Sequence, residues 1–160
     1  MILFFIDCPP SLGQAVTAAS LSADYIIVPV DPERFSLSGL NVTLQELERN
    51  VAEKFEVNLN VKIVLNKFDG RTSLSHKVLT ALFNDSEYQK RLFKTFIRTN
   101  QELPNSVSKG KSIFDSIRAS SAKEDIDLLS REFIELTKIE NTLDAEKKSS
   151  MTMHHVSEGA

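Results

Sequence analysis

Short apolar runs alternate along the chain with segments of helical periodicity, and this alternation constrains the fold more than any other feature. Apolar runs occupy residues 2–6, 25–30, 61–65 and 92–97, and helical patterns occupy 11–22, 36–55, 74–83 and a final segment from residue 121. Strands that alternate with helices of this length form right-handed βαβ units, which build a parallel sheet with helices on both faces. We therefore expect an α/β fold of this kind.

Two of these segments carry clear boundary signals. The run 2–6 is closed by Asp7 and followed by two prolines, which predicts a strand buried on both faces and stopped where proline cannot continue a ladder. The last helix is predicted to begin at a capping box formed by Ser121 and Glu124, with Ile126, Leu129, Phe133 and Leu136 facing inward.

Length and composition fit one domain. The chain has 160 residues, of which 41% are hydrophobic and 26% charged, and its single cysteine, Cys8, cannot form an internal disulfide. The lone cysteine makes a reducing cytoplasm the expected compartment. No stretch approaches the roughly 20 apolar residues of a membrane span. We expect residues 1–140 to form the folded unit and 141–160, which show no periodicity, to be a disordered tail.

Charge is distributed unevenly. Residues 62–118 carry eleven Lys or Arg against five Asp or Glu, whereas the segments before and after are acidic by five and by four. A basic segment inside an acidic protein is a candidate surface for phosphate or nucleic acid, although a solvated helix face gives the same count.

In parallel sheets, ligands bind at the carboxyl ends of the strands. This rule selects residues 7–11, 29–35 and 66–72 as candidate site segments. The first of them has four apolar residues that lead into Asp7, the pattern of a Walker B strand whose carboxylate meets Mg²⁺ or its water.

The motifs together resemble the ParA/MinD-type partition ATPases, most closely the ParA branch. The resemblance rests on Leu-Phe-Phe-Ile-Asp-Cys-Pro-Pro-Ser-Leu-Gly at 3–13, Asp-Tyr-Ile-Ile-Val-Pro-Val at 24–30, Asp-Gly-Arg-Thr-Ser-Leu-Ser at 69–75, Phe-Lys-Thr-Phe-Ile-Arg at 93–98 and Ser-Lys-Gly-Lys at 108–111. It covers about residues 1–138 in the order and spacing of the family. It implies the P-loop NTPase-like fold and ATP with Mg²⁺ as cofactors.

The resemblance also assigns nucleotide-site residues. Asp7 would hold Mg²⁺, and Pro32, Asn66 and Lys67 would lie around the adenine. Two of these assignments have a structural alternative, because a strand-terminal aspartate such as Asp7 can cap the next helix and Asn66 fits ordinary turn chemistry.

For DNA, the resemblance assigns Arg71 and Arg98 to sequence-independent phosphate contacts, and both lie in the basic segment. Glu102 departs from the family, since relatives often carry a second basic residue there. In the family, ATP closes a homodimer, the dimer binds nucleoid DNA non-specifically, and a ParB-type partner stimulates hydrolysis. A membrane-site protein of the MinD type is a third interpretation, but the tail lacks a basic amphipathic helix.

Two family segments are missing from this chain: the lysine-rich P-loop and the segment with the water-positioning aspartate. The one P-loop-like ending, Gly110-Lys111-Ser112, has Asn105 where the motif needs glycine, and the whole sequence has five glycines. Without these groups to stabilise phosphoryl transfer, we assign no catalytic residue and expect negligible hydrolysis by this chain alone. The chain is then either the carboxyl half of a partition ATPase or a short paralogue that binds DNA or a partner without nucleotide.

Overall fold

A computed structural model describes residues 3–10 and 13–138. Along the chain these residues form α1 (Gln14–Ser22), β1 (Ile26–Val30), α2 (Ser36–Leu47), β2 (Val61–Leu65), α3 (Ser73–Asn84), α4 (Ser86–Arg91), α5 (Glu102–Ser108) and α6 (121–138). A π-helical segment, Glu48–Glu53, continues α2, and a 3₁₀ turn, Ile113–Asp115, precedes α6. The predicted tail, 141–160, lies outside the described residues.

The sheet is parallel, as the alternation of elements predicts. In the described part of the chain, β1 pairs with β2 in a register that places Ile26 opposite Val61 and Val30 opposite Leu65. The connection between the two strands runs through α2, so β1, α2 and β2 form a βαβ unit. Both strands end at the same edge of the sheet, where the candidate loops begin.

Helices cover both faces of β2. On one face, Ile63 and Leu65 pack with residues of α2 and α3, in a core formed by Val30, Leu40, Ile63, Leu65, Phe68, Val78 and Leu82. On the other face, Val64 packs with Phe93 and Ile97 beneath α6, which contributes Ile126, Leu129 and Phe133. The expectation of an α/β fold with helices on both faces is therefore confirmed, and so is the inward face of α6 at these three positions.

The predicted fourth strand, 92–97, is only partly formed. It lies beside β2 and makes isolated parallel bridges, Ile63 with Leu92 and Phe68 with Arg98. The N–H groups of Lys94 and Thr95 donate to the Glu132 carboxylate of α6, at 2.7 and 2.9 Å. A helix side chain thus satisfies backbone groups that a further strand would satisfy in a regular ladder, and the continuous strand prediction is wrong.

The prediction of a buried strand at 2–6 is also wrong within the described residues. Residues 3–9 form no strand, and the side chains of Phe4 and Phe5 are 88% and 79% exposed. An apolar run becomes a buried strand only where a neighbouring strand and two covering layers are available. The described chain provides neither to this run.

Two smaller predictions need correction. The cap of α6 is Ser120, whose hydroxyl accepts from the Lys123 N–H at 3.4 Å, whereas the Ser121 hydroxyl accepts from Asn100. α5, Glu102–Ser108, is a helix where the sequence pattern predicts none. The start of the predicted helix 11–22 is partly outside the described residues, and α1 begins at Gln14.

Because Ile63 is fully buried and packs against helices, we expect Ile63→Ala to lower the free energy of unfolding by roughly 2–5 kcal/mol. The matched control is Ile27→Ala in β1, where the side chain is 40% exposed and the expected loss is below about 1 kcal/mol. Urea denaturation of both variants measures the difference. Equal losses would contradict the position of β2 at the centre of the core.

Candidate functional site

Three side chains meet at the carboxyl ends of β1 and β2. The Asn66 amide nitrogen donates to Oδ1 of Asp31 at 2.9 Å, and the Lys67 ammonium donates to Oδ2 of the same carboxylate at 2.6 Å. The hydrogen bond and the charge of Asp31 raise the pKa of Lys67. Asp31 therefore joins the two predicted nucleotide-site residues into one cluster.

The cluster fixes which way the Asn66 amide faces. A carboxylate can only accept hydrogen bonds, so the amide nitrogen of Asn66 faces Asp31 and its carbonyl oxygen faces away. This oxygen makes no hydrogen bond with the described residues and can accept one from a donor such as an exocyclic amine. Lys67 has φ of 51°, a left-handed conformation that costs a non-glycine residue roughly 1 kcal/mol. The Thr99 hydroxyl, which donates to the Lys67 carbonyl at 2.8 Å, helps to hold it.

Beside this cluster a shallow groove of about 290 Å³ opens between β1 and the start of α2, lined by Asp31, Glu33, Ser36, Gly39 and Thr43 among others. Pro32 is half-buried next to Asp31. The groove carries two carboxylates and no Lys or Arg, so it does not attract phosphate by charge.

Asp7 is not joined to this cluster by any contact. It lies in the exposed segment 3–10 and makes no hydrogen bond or ion pair with other described residues. In the described ranges, no group of three or more His, Cys, Asp or Glu side chains could hold a metal ion. Mg²⁺ binding by Asp7 stays a prediction.

Arg71 lies at the tip of the loop that joins β2 to α3, and its side chain is 87% exposed. The loop is held by its own hydrogen bonds: the Thr72 hydroxyl caps α3 by accepting from the Ser75 N–H, and His76 Nε2 lies 2.8 Å from the Gly70 carbonyl oxygen. The Asp69 N–H donates to the hydroxyl of Ser75, which is buried. The loop thus presents an arginine to solvent from a fixed backbone.

Asp69 accepts two side-chain hydrogen bonds from Arg71, from Nε at 2.9 Å and from Nη2 at 2.8 Å. The Arg71 N–H donates to the same carboxylate at 3.0 Å. These bonds lower the pKa of Asp69 to about 2 and raise the pKa of Arg71. The charge of Arg71 is therefore partly neutralised by its own loop.

Arg98 is in a different environment. Its guanidinium donates to Asp125 at 2.6 and 3.0 Å and to Glu124 at 2.6 Å, both on α6. The Asp125 side chain is only 5% exposed, and these hydrogen bonds raise the pKa of Arg98. Arg98 thus links the edge of the sheet to α6. Two carboxylates bind its guanidinium, the group that the resemblance assigns to DNA contact.

Other positive charges of the basic segment lie on the surface. Lys77, Lys94, Lys109 and Lys111 are exposed and form no ion pair with described residues. Two of the five acidic residues in the segment pair within it, Asp69 with Arg71 and Glu87 with Lys90 and Arg91. Lys67 and Arg98 pair instead with acidic residues outside the segment, so the segment is more neutralised in the structure than its own charges suggest.

Three functional neighbours escaped prediction from the sequence: Asp31, Asp69 and Asp125. Asp31 and Asp69 lie in the segments 29–35 and 66–72 that the strand-end rule selects, but the rule singles out neither of them as a site residue. Asp125 gives no such signal. From the sequence, a single acidic residue on an amphipathic helix is expected to face solvent, and its pairing with Arg98 becomes visible only in the structure.

The family model described as an AAA domain matches residues 2–63. The virulence plasmid ParA family protein pGP5-D of Chlamydia trachomatis is 31% identical over 145 residues, which are 91% of this chain and 53% of that protein. The sporulation initiation inhibitor protein Soj of Bacillus subtilis is 32% identical over 109 residues, which are 68% of this chain and 42% of Soj.

The chain belongs to the ParA-type partition ATPase family. The fold agrees, since the crystal structure of a proposed plasmid partition protein from Borrelia burgdorferi, bound to AMPPNP, superimposes with a TM-score of 0.58 at 16% identity. That likeness covers 79% of this chain and 45% of the Borrelia chain. This ParA-type chain therefore spans about half the length of the relatives that it matches.

No helix in the described part of this ParA-type chain is both long enough and apolar enough to cross a membrane.

Because Asp125 is buried, we expect Arg98→Ala to leave its carboxylate without a charged partner and to lower the free energy of unfolding by roughly 1–3 kcal/mol. Arg131→Ala is the matched control, since it removes an exposed pair with Asp127 on the same helix and should cost less than about 0.5 kcal/mol. Chemical denaturation compares the two variants. If Arg98→Ala is as stable as Arg131→Ala, the structural role of Arg98 is wrong.

Proposed function

We propose that this chain acts in plasmid or chromosome partition as a ParA-type protein that binds DNA without sequence preference. The observation that carries the proposal is Arg71, which a rigid loop at the carboxyl end of β2 presents to solvent within the basic segment 62–118. Arginine at such a position suits phosphate oxygens, which accept its forked donors without reading the bases.

The proposal also covers the partners and the location that the family resemblance implies. ATP with Mg²⁺ would close a homodimer, the dimer would bind nucleoid DNA in the cytoplasm, and a ParB-type protein would stimulate hydrolysis. In this chain Asp31, Pro32, Asn66 and Lys67 would surround the adenine, and the outward carbonyl oxygen of Asn66 would accept from its amine. Asp7 would supply the Mg²⁺ carboxylate.

The chain alone is proposed not to hydrolyse ATP, because its sequence contains no P-loop and the groove near Asp31 carries no phosphate-binding cation. The second candidate function is therefore nucleotide-independent binding of DNA or of a protein partner. The exposed position of Asp7, outside the sheet, favours this candidate.

We expect Arg71→Ala to weaken duplex binding to a similar extent for every sequence tested. Loss of one phosphate contact should reduce the slope of log K against log salt concentration by about 0.9. Fluorescence anisotropy with two unrelated duplexes across a salt series measures both effects. Arg131→Ala, outside the basic segment, should leave both unchanged. If Arg71→Ala binds with the wild-type affinity and the wild-type salt dependence, the proposal is contradicted and the basic segment is an ordinary solvated surface.

Equilibrium titration of the purified chain with labelled ATP and Mg²⁺ should detect no binding in the micromolar range, because the backbone N–H groups and lysine of a P-loop are absent from this sequence. Micromolar affinity would contradict this expectation and would favour an ATP-dependent role for the chain itself.

A further inference from the structure

The donors that Arg71 would offer to a phosphate are already in use within its own loop. Nε and Nη2 form the fork through which arginine binds carboxylate and phosphate alike, and both donate to Asp69 at 2.9 and 2.8 Å. A phosphate that is to receive the same pair of hydrogen bonds must therefore displace Asp69.

Asp69 cannot leave this position as a mobile side chain could. Its N–H donates to the buried Ser75, its carbonyl accepts from the Thr72 N–H at 3.0 Å, and its Oδ1 accepts from the Arg71 N–H at 3.0 Å. The Arg71 side chain, in contrast, is 87% exposed while that of Asp69 is 24% exposed. The arginine is thus the partner that can move, and the carboxylate is the fixed one.

The ion pair between Arg71 and Asp69 is weak enough for an exchange. An exposed ion pair contributes only about 0–1 kcal/mol, because water and salt screen it, whereas the field of duplex DNA attracts cations strongly. Arg98 shows the contrasting case, since two carboxylates hold it and one of them is buried. Exchange is expected at Arg71 and not at Arg98.

We propose that Asp69 is an internal competitor of DNA phosphate for Arg71, so that binding at this loop requires Arg71 to exchange one anion for the other. The inference rests on the proposed DNA-binding function. It assigns to Asp69 a role as a determinant of affinity: the carboxylate keeps the contact with DNA weak and reversible, and its removal strengthens the contact.

The test is duplex binding by Asp69→Asn. Asparagine keeps an oxygen that can accept from the Arg71 N–H, so the turn is preserved while the competing charge is removed. We expect affinity to rise roughly three- to tenfold at low salt, the range that corresponds to a surface ion pair with the repulsion between carboxylate and phosphate added. Asp69→Ser, which also keeps a short acceptor, is the second variant if Asp69→Asn does not fold.

Asp127→Asn is the matched control. Asp127 also forms an ion pair with an arginine, through one hydrogen bond of 2.8 Å from Arg131 Nε and with both side chains exposed, but it lies on the acidic last helix. The same loss of one negative charge there should leave the affinity unchanged.

The double variant Asp69→Asn/Arg71→Ala decides the mechanism. If Arg71 mediates the gain, Asp69→Asn should strengthen binding by less than about twofold in the Arg71→Ala background, which is the screened effect of one exposed charge. An equal gain in both backgrounds would overturn the competition, since the effect would then be one of net charge.

The two proposals fail in different ways. If Arg71→Ala weakens binding but Asp69→Asn does not strengthen it, the proposed function stands and the competition is overturned. If neither the wild-type chain nor Asp69→Asn binds duplex DNA, both proposals fall.

Discussion

The fold depends on β2, the strand that is buried on both faces and hydrogen-bonded toward both sides. β1 pairs along its whole length with one edge of β2, and the segment 92–98 bridges to the other edge. The side chains of Ile63 and Val64 point to opposite faces and anchor separate cores. The candidate loops 66–72 and 29–35 begin where these strands end, so their geometry follows from this pairing.

Carboxylates of α6 complete the edge of this sheet. Glu132 and Asp125 accept from the backbone of segment 92–98, and Asp125 also binds the Arg98 guanidinium. Arg71 and Arg98, which the resemblance assigns alike to DNA contact, thus differ physically. One holds a helix to the sheet through a buried acid, and the other lies at a solvent-exposed tip beside an acid of its own loop.

The fold class was predictable because its signal is periodic: β1, β2 and the helices α2 and α3 lie close to their predicted positions. The run 2–6 misled the prediction, since apolarity indicates burial but does not supply a neighbouring strand. The closeness of Asn66 and Lys67 was predictable, because the two residues are adjacent in sequence at the end of β2. The contacts of Asp31, Asp69 and Asp125 depend on side-chain geometry, which a pattern of residue types does not encode.

Arg71, and not Arg98, is the arginine that we propose to contact DNA. The most direct measurement follows the arginine Nε–Hε resonances of the labelled chain by NMR during titration with a duplex. The Arg71 resonance should shift as its fork leaves Asp69 for a phosphate, while that of Arg98 should stay fixed on Asp125 and Glu124. A stationary Arg71 resonance under conditions in which other residues report DNA binding would contradict contact between Arg71 and DNA.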